Sequence, residues 1–489
     1  MIANGRQTGN PFSAESFIRD MKQPVYDRGI IWFLALAGIT IGVTYYTPGI
    51  IATFWYLLLL VLYYRSDDEP MWLAFFLVTV DGFMGLMGLY AVTLSLLPGL
   101  PAIELSQFYI VLSVVKAYSR RKAYPVYFKK YLQVLGVYLL LLIVWGQFMG
   151  LSSQLNVYMR VLKTTLPFLL FYSLPRLMPD LYSYKRFFGI IFIVVISAFA
   201  LQLFTLLTGI YPGEGLLAAD EQIEESDEFR TFFNVTCTLI GLLGALLFLS
   251  IRGRTGFNNW FLLLVVFSSA MMAVISATRG WIIAFGMIII LTGIFVRTID
   301  IRKLAALVVI SGVLFIIGSG SDQIREQVMF SKERLLTIES IGSGDLTAEG
   351  TLHRLDVRGP RVMGAWKENP IFGWGFSDMG FSTSDGHVGN QSLLMFSGII
   401  GFALLNGFLL FICYKSLVAY NRTGTSIPFR NGYLIFIFFL AGWFFIHSTS
   451  GQQFTYNALP LKVFPQAILL SLSSIYYNLS YINRELKHG

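Results

Sequence analysis

The 489-residue chain is poor in charge, histidine and cysteine. Charged residues make up 13% of it, against about 25% in soluble domains, which excludes an ordinary aqueous enzyme. Four histidines and two cysteines offer little material for a metal centre or a disulfide framework. Cys237 and Cys413 fall in apolar segments near opposite ends of their helices, which argues against a bridge between them. No stretch of carboxylates has metal-ligand spacing of the Asp-x-Asp-x-Asp-Gly kind, so the sequence requires neither a metal nor any other cofactor. A cleavable signal is not expected, because residues 1–28 are polar and precede the first apolar run. Within them, Ser13 to Met21 reads equally as a short amphipathic helix on the inner surface or as a tail.

Apolar residues, by contrast, are abundant. They form 55% of the chain, and mean hydropathy is +0.65. Since roughly 20 apolar residues cross a bilayer as a helix, the fold class is an all-α polytopic membrane protein. Runs at 29–46, 49–64, 71–92, 104–118, 131–148, 161–178, 187–209, 231–250, 260–277, 280–296, 304–319, 391–413, 432–449 and 461–480 give about 14 spans. With the N-terminus inside, about two-thirds of the 36 Lys and Arg residues fall on inner segments, as the positive-inside rule expects. The net charge of +8 then reports topology, and no nucleic-acid partner is implied.

The expected organisation is a cytoplasmic N-terminal segment (1–28), spans 1–11 (29–319), a long outer loop (320–390), then spans 12–14 with a short cytoplasmic tail (391–489). An acidic outer loop, 210–230, reads as a solvated connection. The long loop exceeds ordinary connection lengths and should carry its own structure. Ser321-Asp322 begins a helix to about Ser340, with Ile324, Val328, Leu335 and Leu336 on its buried side. Downstream, Arg354, Arg358 and Arg361 share one helical face, and Pro360 suits the first turn of a helix there. A glycine-rich, aromatic stretch, IFGWGFSDMGFSTSDGHVGN, then leads into the twelfth span as a folded loop against the membrane face.

Arginine forks bind phosphate oxygens bidentately and stay charged. Arg279, Arg354, Arg358 and Arg361 on the outer side therefore suit a lipid-linked diphosphate, and His387 is the side chain best poised to accept a proton. Each has a plainer reading. Arg279 could snorkel at an interfacial turn, and the three loop arginines could be a solvated face paired with Asp356 and Glu368. His353 and His447 fit structural roles better. Asp81 lies inside the third span, where a charge is costly and functional by default, yet Gly82, Gly85 and Gly88 around it read as tight helix packing. Arg160 and Lys163, at the outer start of span 6, are further candidates for diphosphate contact.

Three segments carry a resemblance. SATRG at 276–280, RVMGAWKENPIFGWGFSDMG at 361–380 and HVGNQSLLMFSGIIGF at 387–402 resemble, in order and spacing, motifs of the O-antigen polymerase and O-antigen ligase superfamily of membrane glycosyltransferases. The likeness covers about 260–450. It departs at Gly389, which precedes Asn390 where the family's ligases carry histidine; His387 lies three residues before Asn390. The resemblance implies a GT-C-like fold in a bacterial inner membrane and an active site facing the periplasm. It implies metal-independent, inverting transfer of a glycan from undecaprenyl diphosphate. Donor and acceptor would both be lipid-linked glycans in a polymerase, and the acceptor lipid A–core in a ligase; 14 spans favour the polymerase. A chain-length regulator would be a further partner, beside the bilayer. Mapped here, His387, Arg279 and Arg361 would be catalytic, and Arg354, Arg358, Arg160, Asn390, Trp366 and Asp81 would bind substrate. The rival of another class is a flippase or secondary transporter, which should show internal repeats; none is evident.

Overall fold

The computed structural model describes residues 28–87, 92–94, 102–120, 126–211, 232–251, 255–296, 322–342, 354–385, 388–422, 427–449 and 459–488. Almost all of them are helical. The elements are α1 (Arg28–Tyr46), α2 (Gly49–Arg65), α3 (Glu69–Val80), a short hairpin of β1 (Thr93–Leu94) and β2 (Ile103–Glu104), α4 (Leu105–Ser119), α5 (Lys129–Phe148), α6 (Leu155–Thr165), α7 (Leu170–Leu177), α8 (Leu181–Thr208), α9 (Val235–Leu249), α10 (Asn259–Ile275), α11 (Arg279–Phe295), α12 (Asp322–Gly342), α13 (Gly359–Glu368), α14 (Asp378–Thr383), α15 (Gly389–Asn421), α16 (Ile427–Thr449) and α17 (Leu459–His488). The two strands pair antiparallel, Thr93 opposite Glu104.

Among the described residues, five helices are long and apolar enough to cross a membrane: α1, α5, α8, α15 and the Phe429–His447 part of α16. Helices α2, α3, α9, α10 and α11 are apolar but shorter. Large apolar side chains stand exposed on the outer helices, among them Ile31, Trp32, Phe54, Val137 and Leu140. Such continuous apolar exposure is tolerated where lipid replaces water. The fold is that of a helical membrane protein.

The core has two helices at its centre. Every residue of α3 is buried, as is every residue of α9 from Thr236 on. Helices α8, α10 and α17 surround them. Local signals start several helices: Asp68, Asp180 and Asn258 accept from the backbone N–H groups of Met71, Ser183 and Trp260, satisfying donors that a helix start leaves open. Gly209, at φ 70°, ends α8 in the left-handed conformation.

One face of the bundle is tied by ion pairs to the 66–70 elbow between α2 and α3. Arg120 pairs with Asp67 at 2.7 Å and Arg186 with Asp68 at 2.8 Å. Lys116, buried in α4, pairs with Glu69 and donates to the Tyr63 carbonyl at 3.1 Å. Burying either charge alone would be costly; together, with a carbonyl and the Tyr63 ring 4.3 Å below the ammonium, they are compensated.

Three expected spans differ from continuous helices. The third stops at Val80, because Gly82 and Gly85 adopt left-handed backbone angles, φ 80° and 81°, and Phe83 and Met84 follow them. Gly82 and Gly85 thus break the helix, and Gly85 also packs closely against the Phe233 ring, where a Cβ would collide. The sixth is divided into α6, a 3-10 turn at Leu166–Leu169 and α7; Pro167, which lacks an N–H, lies in that turn. The twelfth is interrupted at Gly398. The expected span 304–319, the Ser13–Met21 stretch, residues 212–230 of the acidic loop, His353 and His387 lie outside the described residues, as do the side chains of Arg160 and Arg354.

Candidate functional site

The Asn369–Phe376 loop and the broken α15 form one unit. Gly398 has φ 62° and ψ −175°, which no helix accommodates. The break removes the bonds by which Ile399 and Ile400 would donate to Met395 and Phe396. Instead, Trp374 N and Gly375 N donate to the Met395 and Phe396 carbonyls at 3.0 and 2.7 Å, while Ile399 N and Ile400 N donate to Pro370 and Ile371 at 2.9 and 3.3 Å. Two helical bonds are thus replaced by four between loop and helix, so the backbone polar groups that the break frees are satisfied.

The glycines make this approach fit. A Cβ at Gly373 or Gly398 would strike the other segment's backbone, and both have positive φ. From the other side, Trp145 of α5 donates its indole N–H to the Gly373 carbonyl at 2.9 Å, and Gly146 lies against the Phe376 backbone. Trp374 donates to Ala365 at 2.8 Å and Trp366 to Pro370 at 3.1 Å. The loop folded against the membrane helices is therefore as the composition led one to expect. Trp366, a candidate for substrate contact, also braces the loop.

Next to this unit lie two of the loop arginines. A π turn, Arg354–Arg358, runs straight into α13, and Arg358 is itself helical. Pro360 lies in the first turn of α13, as expected; the wide turn before it relieves the clash that proline makes with the preceding turn. Arg361 donates to Asp385 at 3.0 Å, and Arg358 stands 3.6 Å from the other carboxylate oxygen. Asp385 is the partner, where sequence suggested Asp356 and Glu368. Its side chain is only 10% exposed, against 40% and 55% for the arginines. Ser392 in the first turn of α15 both accepts from the Asp385 N–H and donates to its carbonyl, each at 2.9 Å. The Asp385 backbone is thus fixed to α15, and its carboxylate pairs with both guanidinium groups. A guanidinium has five N–H donors, more than this one carboxylate engages.

Arg279 occupies a separate element. It is the first residue of α11, after a tight turn in which Ala277 has φ 49° and Thr278 Oγ1 donates to the Ser276 carbonyl at 3.1 Å. Helix α12 of the long loop packs on α10 beside this turn. Gln327 and Ser331 of α12 donate to the Ile275 and Val274 carbonyls at 2.5 and 2.9 Å. They cap the end of α10 from outside, which explains why the buried side of α12 is polar there. Ile324 and Val328 are half-buried as expected, but Leu336 is exposed at 47%.

Asp81 does a different job. Its carboxylate accepts from Cys237 N at 2.8 Å. Cys237 is in the first turn of α9, whose N-cap, Asn234, makes no side-chain cap bond. Asp81 therefore caps α9 from across the bundle, where a carboxylate also meets the positive helix end. Asn390 is half-buried in the first turn of α15, close in sequence to Asp385. Lys163 stands 3.8 Å from Glu104 of the hairpin. His447 is buried against Trp443, ring centres 4.2 Å apart. Cys237 and Cys413 are both free thiols. Among the described residues, no group of three or more His, Cys, Asp or Glu side chains could hold a metal ion.

No protein-family model matches the chain, and no curated protein does.

Proposed function

We propose that the protein polymerises lipid-diphosphate-linked oligosaccharide repeat units, in the manner of an O-antigen polymerase, on the periplasmic face of a bacterial inner membrane. In this reading the chain has about 14 spans in a GT-C-like arrangement. The observation that carries it is the Arg358–Asp385–Arg361 cluster, which is tied to the broken α15 through Ser392 and leaves both arginines partly exposed. A half-buried carboxylate that gathers two arginines suits a diphosphate better than a neutral ligand.

The reaction is a direct displacement. The acceptor hydroxyl oxygen forms a bond to the anomeric carbon as the bond from that carbon to the diphosphate oxygen breaks. The electron pair leaves with the diphosphate, whose charge Arg358, Arg361 and Arg279 stabilise, and the hydroxyl proton passes to His387. One attack from the face opposite the leaving group inverts the centre. The test is to incubate the purified protein in a bilayer with one lipid-linked repeat unit and no other acceptor. A ladder of products at repeat-unit intervals is expected. If product forms only when lipid A–core is added, the protein is a ligase; if neither acceptor yields product, the reading falls.

A further inference from the structure

A second feature does not depend on the proposed chemistry. Between α5 and the Leu166–Arg176 stretch runs a cavity of about 480 Å³. Its walls are apolar over most of their length, with Leu135, Leu139 and Ile143 on one side and Leu166 and Phe171 on the other. Lys129 and Arg176 line it as well, and both belong to the same end. Lys129 opens α5, nine residues after Arg120, and Arg176 closes α7, ten residues before Arg186. Arg120 and Arg186 pair with Asp67 and Asp68, which marks this as the end of the groove nearer the 66–70 elbow. Gln133 lines the cavity one turn above Lys129. The groove is thus cationic at the membrane surface, amide-bearing one turn deeper and hydrocarbon beyond, the polarity profile of a phospholipid read from the headgroup inward.

Its length also agrees. From Lys129 to Ile143 the helix rises about 21 Å, which exceeds the ~15 Å hydrocarbon depth of one leaflet. Gly136 lies midway along the α5 wall, and a Cβ built there meets open space. The missing side chain keeps the groove passable. Arg176 is aimed without being consumed: one guanidinium nitrogen donates to the Tyr172 carbonyl at 2.6 Å and the group stacks on the Tyr172 ring at 3.9 Å, leaving its other donors for a phosphate.

We propose that this groove binds an anionic phospholipid of the leaflet on the elbow side, with one acyl chain between α5 and α7 and the phosphate held by Lys129 and Arg176. By the charge asymmetry of the loops this is the cytoplasmic leaflet, whose anionic lipids attract such cations.

The test uses the full-length protein in mild detergent, titrated with phosphatidylglycerol or phosphatidylcholine and read by native mass spectrometry and thermal melting. Phosphatidylglycerol should bind more tightly and raise the melting temperature. Gly136→Trp should abolish that binding while melting like the parent without added lipid. Lys129→Gln with Arg176→Gln should bind the two lipids alike, a loss of roughly 10- to 30-fold for two surface cations. Equal binding of both lipids by the parent would overturn the proposal. So would a Gly136→Trp variant that retains phosphatidylglycerol, or displacement of phosphatidylglycerol by a polyprenyl diphosphate, which would assign the groove to a substrate tail.

Discussion

Asp385 and Arg361 are 24 residues apart in sequence and 3.0 Å apart in space. Asp385 is the less exposed member, so it acts as the anchor and the arginines as the adjustable arms. Their coupling should be modest in stability, because the arginine is more than half exposed. A double-mutant cycle with Asp385→Asn and Arg361→Gln should give about 0.5–1 kcal/mol in thermal or denaturant melts. In turnover the two substitutions should be strongly non-additive, since each one alone dismantles the same positioned fork. Additive losses would mean that Arg361 acts without Asp385.

Arg279 should matter through its fork. Arg279→Ala is expected to lower turnover by about 100-fold or more, the scale of removing a transition-state donor, with normal membrane expression. Arg279→Lys should recover little of it, because a point charge lacks the bidentate geometry. Near-parent turnover in Arg279→Ala would reduce the residue to an interfacial anchor.

His387→Ala should cost roughly 10²–10⁴-fold in rate if this imidazole accepts the acceptor's proton, while binding of the diphosphate donor persists. In the parent, the rate should rise with pH as the imidazole loses its proton, and that limb should vanish in the variant. A variant with parent-like turnover would leave catalysis to arginine electrostatics and positioning.

Gly398→Ala tests the broken helix. Alanine there combines a left-handed φ with a collision against the Ile371 carbonyl. It should cost about 1–3 kcal/mol and be visible as a lower melting temperature. Gly38→Ala, where a Cβ meets nothing within 4 Å, is the matched control and should melt like the parent. Equal melting of the two variants would show that the junction does not depend on this glycine.

Asp81→Asn separates capping from substrate binding. The amide oxygen still accepts from the α9 N–H, so the fold should survive and turnover should remain within a few-fold. Asp81→Ala should cost about 1–2 kcal/mol, as lost caps do. A folded Asp81→Asn variant without activity would return Asp81 to the substrate path.

Much of the helical architecture was legible because apolar runs and capping residues are local signals. Asp68, Asp180 and Asn258 announce their helices within three residues. The breaks were not legible, since glycine has two meanings in a membrane helix: Gly82 and Gly85 read as packing residues, and Gly85 does pack on Phe233, but both also take left-handed φ and end the helix. At Gly398 the deciding factor is a loop that reaches back to supply four backbone bonds, which no window around Gly398 reveals. The arginine cluster was visible as a helical face, but its partner was not, because Asp385 meets it only after the intervening loop has folded on α15. Asp81 was conspicuous as a buried charge, yet the helix end that it caps begins more than 150 residues later.

The complete enclosure of α3 bears on how the chain is made. Its 12 helical residues rise about 18 Å, short of the ~30 Å hydrocarbon core, and present no lipid-facing surface. An element like this has no stable resting place in a bilayer by itself. Its start carries Glu69, whose counter-charge Lys116 is supplied by α4, a helix synthesised later. Biogenesis must therefore hold α3 at the insertion machinery, or let it enter late, until α4, and then α8 and α9, have arrived to enclose it. A ribosome stalled before Lys116 emerges should leave α3 accessible to modification, and one stalled after α9 should not.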